Sequence, residues 1–111
     1  MQFATFHDLE DQSIFITGGG SGIGADLTKG FLSQGAKVTF VQRSNPEKFL
    51  AECEGKYKYE PTFIKCDVSH IEELKIALQT TAKEQGAVTV LVNNAANDTR
   101  HTLDEFTSQQ W

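Results

Sequence analysis

The chain has 111 residues, which suits one domain or part of one. With 39% hydrophobic and 23% charged residues it has a globular composition, which excludes disorder over most of its length. A net charge of −5 leaves no basic face for a nucleic-acid backbone, and no run approaches the roughly 18 apolar residues of a membrane span, so neither nucleic acid nor membrane is an expected partner.

Met1–Ser13 carries Asp8, Glu10 and Asp11 and has no apolar core, unlike a signal peptide. Ser13–Thr17 is apolar and β-branched, and reads as a buried strand. The glycine-rich run Gly18–Gly24 follows it. Ile23, Leu27 and Phe31 then recur at helical spacing, with Gly35 placed as a stop, which predicts a helix of about three turns. Lys37–Val41 is a second strand. Asn45-Pro46 reads as an N-cap with Pro at the first helical position, opening a short helix to near Cys53 that Gly55 closes. Lys56–Glu60 is a polar loop and Thr62–Lys65 a third strand. Ser69 with Glu72 forms a capping box, Ile71, Leu74, Leu78 and Ala82 mark a helix face, and Gly86 ends it. Val88–Val92 is a fourth strand. A second capping box, Thr107 with Gln110, starts a helix at the end of the sequence.

Alternation of apolar strands with amphipathic helices predicts an α/β fold: a Rossmann-type parallel sheet with helices on both faces, of about four strands, in one domain spanning 1–111. Cys53 and Cys66 lack the spacing of a zinc site and fit isolated thiols in a reducing compartment; the expected location is cytoplasmic, with no metal.

The run Thr17-Gly18-Gly19-Gly20-Ser21-Gly22-Ile23-Gly24 lies between a strand and a helix. A tight strand-to-helix turn, close backbone approach to a pyrophosphate and close helix packing all favour glycine there, and the helix N-terminus offers N–H groups to the anion. A triphosphate-binding P-loop is rejected, because no Lys follows Gly22 or Gly24. The strict G-x-G-x-x-G pattern also fails; Gly20, Gly22 and Ala25 give only its weaker form. A glycine-rich turn with no ligand is the bland alternative.

Gly18-x-x-x-Gly22-x-Gly24 after Thr17 resembles the cofactor loop of the short-chain dehydrogenase/reductase family. Asp67-Val68, after the third strand, resembles the family's adenine-contacting acidic position. Asn93-Asn94-Ala95-Ala96 resembles its N-N-A-G, with Ala96 departing from Gly. The resemblance covers about Leu9 to Trp111. It implies an oxidoreductase of alcohol or carbonyl substrates, with a small-molecule substrate and, for the full-length form, a homo-oligomer. It implies cofactor contacts at Gly18, Gly20, Ser21, Gly22, Ile23, Gly24, Asp67, Val68, Asn93, Asn94, Ala95 and Ala96; Asn93 would also brace the sheet. The loop after Ala96, with Arg100 and His101, has a weak likeness to sugar and polyol dehydrogenases, and His101 is a lesser candidate for substrate contact.

The end of the second strand bears on NADP against NAD. An NAD enzyme typically carries an Asp or Glu there for the ribose 2′-hydroxyl, whereas this chain has Gln42, then Arg43 and Ser44. No carboxylate repels a 2′-phosphate, and a guanidinium pairs with one through two hydrogen bonds, so NADP is the preferred cofactor, with NAD the alternative.

The family's Tyr-x-x-x-Lys pair is absent: Tyr57 has Pro61 at that offset and Tyr59 has Phe63. The resemblance places that pair, the catalytic Asn and the Ser beyond Trp111, so no residue here is assigned a catalytic role. The expected reading is an N-terminal, cofactor-binding half, inactive alone, with Val90 and Val92 exposed on an edge strand and the fragment poorly stable. Two alternatives stand: a non-catalytic dinucleotide-binding module, or a different reaction on the same scaffold.

Overall fold

The structure is a computed structural model that describes residues 9–20 and 22–94. The expectations for Ser21, Ala95, Ala96, Arg100, His101 and the helix beginning at Thr107 lie outside the described residues.

The elements alternate strictly: β1 (Ser13–Thr17), α1 (Gly22–Ser33), β2 (Lys37–Gln42), α2 (Glu47–Cys53), β3 (Thr62–Lys65), α3 (Ile71–Gln85) and β4 (Val88–Asn93). All strand pairs are parallel, in the order β3-β2-β1-β4. β1 is buried along its whole length, which is why Ser13–Thr17 reads as a continuous apolar run rather than an alternating one. Ile14 and Ile16 face one side, with Val38, Phe40, Leu32, Phe49 and Cys53; Phe15 and Val41 face the other, with Cys66, Leu74, Ala77 and Leu78. Hence α1 and α2 cover one face of the sheet and α3 the other. Phe40 anchors the first layer, with its ring edge-on to Phe49 at 5.4 Å and tilted against Phe63 at 5.4 Å.

The chain order reverses between β1 and β4, because α1 and α2 step outward on one side while α3 carries the chain back past β1. In open parallel sheets such a reversal opens a crevice beyond the carboxyl ends of the two strands. Thr17 and Asn93 stand side by side there, register partners at the ends of β1 and β4.

Several expectations are refined by the structure. The apolar stripe of α1 only partly meets the sheet: Ile23 is 71% exposed and Leu27 36%, Phe31 packs against the core layer, and Gly24, Thr28 and Leu32 are buried. The reason is closeness. The glycine loop brings α1 so near β1 and β2 that only small residues fit beneath its first turns, and Ile23, Leu27 and Phe31 line an outer groove with Leu9 and Tyr57. The second correction is the start of α3. Its N-cap is His70, without a side-chain cap bond of its own, one residue later than the Ser69 cap that the sequence suggests. Ser69 instead donates its N–H and hydroxyl to Asp67 Oδ1, at 3.0 and 2.6 Å, and Glu73 accepts the Asp67 N–H at 3.0 Å. A short aspartate turn thus leads into the helix. Third, α2 begins at Glu47 after an N-cap at Pro46, one residue later than predicted, though Asn45 Oδ1 still accepts the Glu47 N–H at 3.0 Å.

Val90 and Val92 are half-buried rather than exposed, because both pack against the layer under α1 and α2. Both cysteines are free and buried, as expected of isolated thiols. At the far end of the sheet, Gln85 pins α3: its amide nitrogen donates to Ser13 Oγ at 2.7 Å and to the Lys37 carbonyl at 3.1 Å, and its oxygen accepts the Thr39 hydroxyl at 2.9 Å.

Candidate functional site

The glycine loop leaves β1 through Gly18, whose N–H donates to the Val41 carbonyl at 2.7 Å. The loop then folds back over the strand ends. A side-chain carbon on Gly24 would collide with the Gly18 carbonyl and lie 2.6 Å from Asn94 Nδ2, so no other residue fits this approach of helix to loop. Gly22 opens α1 at φ +56°, a conformation that L side chains rarely adopt, and a side chain there would meet nothing within 4 Å. The loop is therefore tight on its inner side and open at the helix N-terminus, where backbone N–H groups have no partner within the helix. Ile23, also at this end, has its side chain in solvent. That combination accommodates an anion held by main chain.

Thr28 holds the loop from below. Its buried hydroxyl lies 3.0 Å from the Gly19 carbonyl and 2.8 Å from the Gly24 carbonyl. From the side, the Thr17 hydroxyl donates to Asn93 Oδ1 at 3.0 Å and accepts the Asn94 N–H at 2.9 Å, while Asn94 Nδ2 donates to the Gly18 carbonyl at 3.2 Å. Asn93 and Asn94 thus brace the loop and the β1–β4 seam.

At the end of β2, Gln42 turns its side chain towards the loop. Its Oε1 accepts the Gly20 N–H at 2.9 Å, and its Nε2 donates to the Ser44 carbonyl and hydroxyl at 2.9 and 3.2 Å. Gln42 is thereby wired to the glycine loop and to Ser44. Beyond it, Arg43, Ser44, Lys65, Asp67, His70 and Glu73 line a cavity of about 920 Å³. Arg43 is exposed, and its Nη1 lies 3.9 Å from Asp67 Oδ2, a loose pair in solvent. Asp67 is held below the usual carboxylate range, first by the Ser69 hydroxyl and N–H, then by His70 and Arg43. His70 is raised, first by its hydrogen bond to Glu73 at 3.0 Å, then by Asp67. Glu73 is lowered by the Asp67 N–H and by His70. Val68 is half-buried against the α3 layer, which leaves mainly its backbone for any contact in the cavity.

The structure thus gathers Gly18, Gly20, Gly22, Gly24, Asn93 and Asn94 around the end of β1, leaves the Ile23 side chain in solvent, and places Arg43, Ser44 and Asp67 along a cavity beyond Gln42. Sequence reasoning missed Thr28, which lies four residues after Gly24 on the buried stripe. It also missed Lys65 and the His70–Glu73 pair. The i, i+3 spacing of His70 and Glu73 was visible, but the strand register that sets Lys65 beside Gln42 was not.

A parallel sheet covered on both faces, with a glycine turn at its point of reversal, defines a Rossmann-like protein. The chain matches the short chain dehydrogenase family over residues 12–111, and it belongs to that family. It is 42% identical over 109 residues to a probable galactose dehydrogenase of Rhizobium meliloti, covering 96% of this chain and 42% of that protein. It is 40% identical over 112 residues to D-xylose 1-dehydrogenase of Caulobacter vibrioides, covering 100% of this chain and 44% of that protein. The chain therefore spans less than half the length of these relatives. Among solved structures, a short-chain type dehydrogenase/reductase from Mycobacterium ulcerans matches with a TM-score of 0.75 at 25% identity, covering 86% of this chain and 35% of the other. L-Sorbose reductase from Gluconobacter frateurii, solved with NADPH and L-sorbose, matches with a TM-score of 0.72 at 26% identity, covering 86% of this chain and 37% of the other.

Proposed function

We propose that this chain is the dinucleotide-binding part of an NAD(P)-dependent oxidoreductase that acts on the alcohol or carbonyl group of a sugar or polyol. The observation that carries this reading is the loop itself: Gly24 pressed against the Gly18 carbonyl, with the N-terminus of α1 open beside the β1–β4 reversal. Residues 1–111 form one unit in this proposal. The pyrophosphate lies against Gly18, Gly20, Ser21, Gly22, Ile23 and Gly24, where backbone donors and the helix dipole favour an anion. Asp67 and Val68 meet the adenine, and Asn93, Asn94, Ala95 and Ala96 line the ribose nearer the nicotinamide. The nicotinamide supplies the hydride chemistry. This chain's residues bind and orient it.

NADP is the preferred cofactor. Gln42 puts an amide where a carboxylate would repel a 2′-phosphate, and its bonds to Gly20 and Ser44 hold the turn that presents Arg43. Sugar substrates are supported by the galactose and D-xylose dehydrogenases among the relatives. The test is titration of the purified protein with NADPH and NADH, followed by fluorescence. Tighter binding of NADPH is expected, and Arg43→Asp should weaken NADPH by at least about tenfold while leaving NADH within about twofold. If neither coenzyme binds the folded protein, the proposal is wrong; an equal loss for both coenzymes removes the NADP preference.

A further inference from the structure

One cation at the cavity has no counter-charge among the described residues. The parallel register sets Lys65, the last residue of β3, directly alongside Gln42. In-register neighbours on adjacent strands project from the same face of a sheet. The Lys65 stem therefore leaves the sheet on the side from which Gln42 reaches the Gly20 N–H. The ladder continues one step further, with the Cys66 N–H donating to the Gln42 carbonyl at 3.0 Å, so the backbone fixes this juxtaposition.

The carboxylates around the cavity are engaged elsewhere. Asp67 Oδ1 takes two bonds from Ser69, its Oδ2 faces Arg43 and His70, and Glu73 takes the Asp67 N–H and His70. Lys65 is exposed and makes no ion pair among the described residues. An unpaired ammonium beside a strand end that carries no carboxylate favours an anion.

We infer that Lys65 is a specificity-determining residue whose ammonium, together with the Arg43 guanidinium, grips the 2′-phosphate of NADP. This rests on the NADP reading above and adds a residue from a different strand. A phosphomonoester carries close to two charges at neutral pH, and two cations reaching it from separate elements neutralise it better than one arginine on a turn. The ammonium acts as a point charge, so an arginine at the same position serves too.

The probes are adenosine 2′,5′-bisphosphate, which carries the extra phosphate, and adenosine 5′-monophosphate, which lacks it; both are titrated calorimetrically into wild type, Lys65→Gln and Lys65→Arg. Lys65→Gln should weaken the bisphosphate about fivefold at low salt, with the monophosphate within about twofold, and Lys65→Arg should stay near wild type. The deficit should shrink as salt rises. Lys65 is an exposed strand-end side chain, and an unchanged melting curve for Lys65→Gln confirms that the fold is intact. A wild-type protein that prefers the bisphosphate while Lys65→Gln loses none of that preference overturns the Lys65 assignment alone. A wild-type protein that binds both probes equally overturns this assignment together with the NADP reading.

Discussion

Replacing Gly24 by Ala adds one methyl group at the tightest point of the molecule. In an ordinary helix the change would stabilise by about 1 kcal/mol, because Ala is the better helix former. Here the new carbon would overlap the Gly18 carbonyl and stand 2.6 Å from Asn94 Nδ2. The Gly18 obstacle is backbone, and it is tied to β2 through its own N–H. It cannot rotate aside, so the upper end of the usual overpacking cost applies, about 3 kcal/mol. The net expectation is a loss of about 2 kcal/mol, together with displacement of the loop and weaker coenzyme binding. Gly22→Ala meets no atom and pays only for its left-handed backbone, about 1 kcal/mol. Urea unfolding of both variants, with unchanged slope, measures the difference. A Gly24→Ala protein as stable as wild type, or more stable, would refute the claim that contact with Gly18 excludes a side chain there.

Gln85→Leu should cost about 2 kcal/mol in the same urea assay, because the Lys37 carbonyl and the Ser13 and Thr39 hydroxyls lose their shared partner; a loss below about 0.5 kcal/mol would mean that water replaces it. Phe40→Ala, at the centre of the α1–α2 layer, should cost about 3–5 kcal/mol, and a near-neutral result would contradict its full burial. His70 should titrate above its ordinary 6.5 when followed by NMR, and Glu73→Gln should bring it back down. Its charged form is favoured by folding, so its stabilising effect is complete below about pH 6.5 and is lost as pH rises through the raised value; a midpoint at or below 6.5 would refute the pairing. Burial pushes the Cys66 thiol up to about 11, so iodoacetamide at pH 8 should label it only after unfolding, and rapid labelling of the native protein would contradict that burial.

Much of the fold was legible because its signals are local. Continuous apolar strands, glycine stops at Gly35 and Gly86, and alternation with helices each depend on neighbouring residues, and together they required a parallel sheet. What failed was whatever depends on distance between elements. Ile23, Leu27 and Phe31 have the right period for a core face, but the sheet selects the stripe of smaller residues, Gly24 and Thr28 with Leu32, because the loop leaves no room for larger ones. Ser69 and Glu72 have capping-box spacing, yet α3 takes His70 as its N-cap, and the Ser69 hydroxyl and N–H donate to Asp67. For the candidate site, the motifs located the crevice, while the links between them, Gln42 to Gly20 and Lys65 beside Gln42, follow from a register that no single segment encodes.

The brace on the Thr17 hydroxyl has a consequence for how the molecule assembles. Thr17 and Gly18 are held by Asn93 and Asn94, partners 76 and 77 positions away along the chain. During synthesis the glycine turn leaves the ribosome several seconds before the residues that lock it, at roughly 5–20 residues per second. Its final shape waits on docking of β4, among the most non-local pairings in the sheet and hence among the most slowly gained. The earliest-made motif is thus completed late, and a nascent chain acquires its final glycine turn only once β4 has docked on β1.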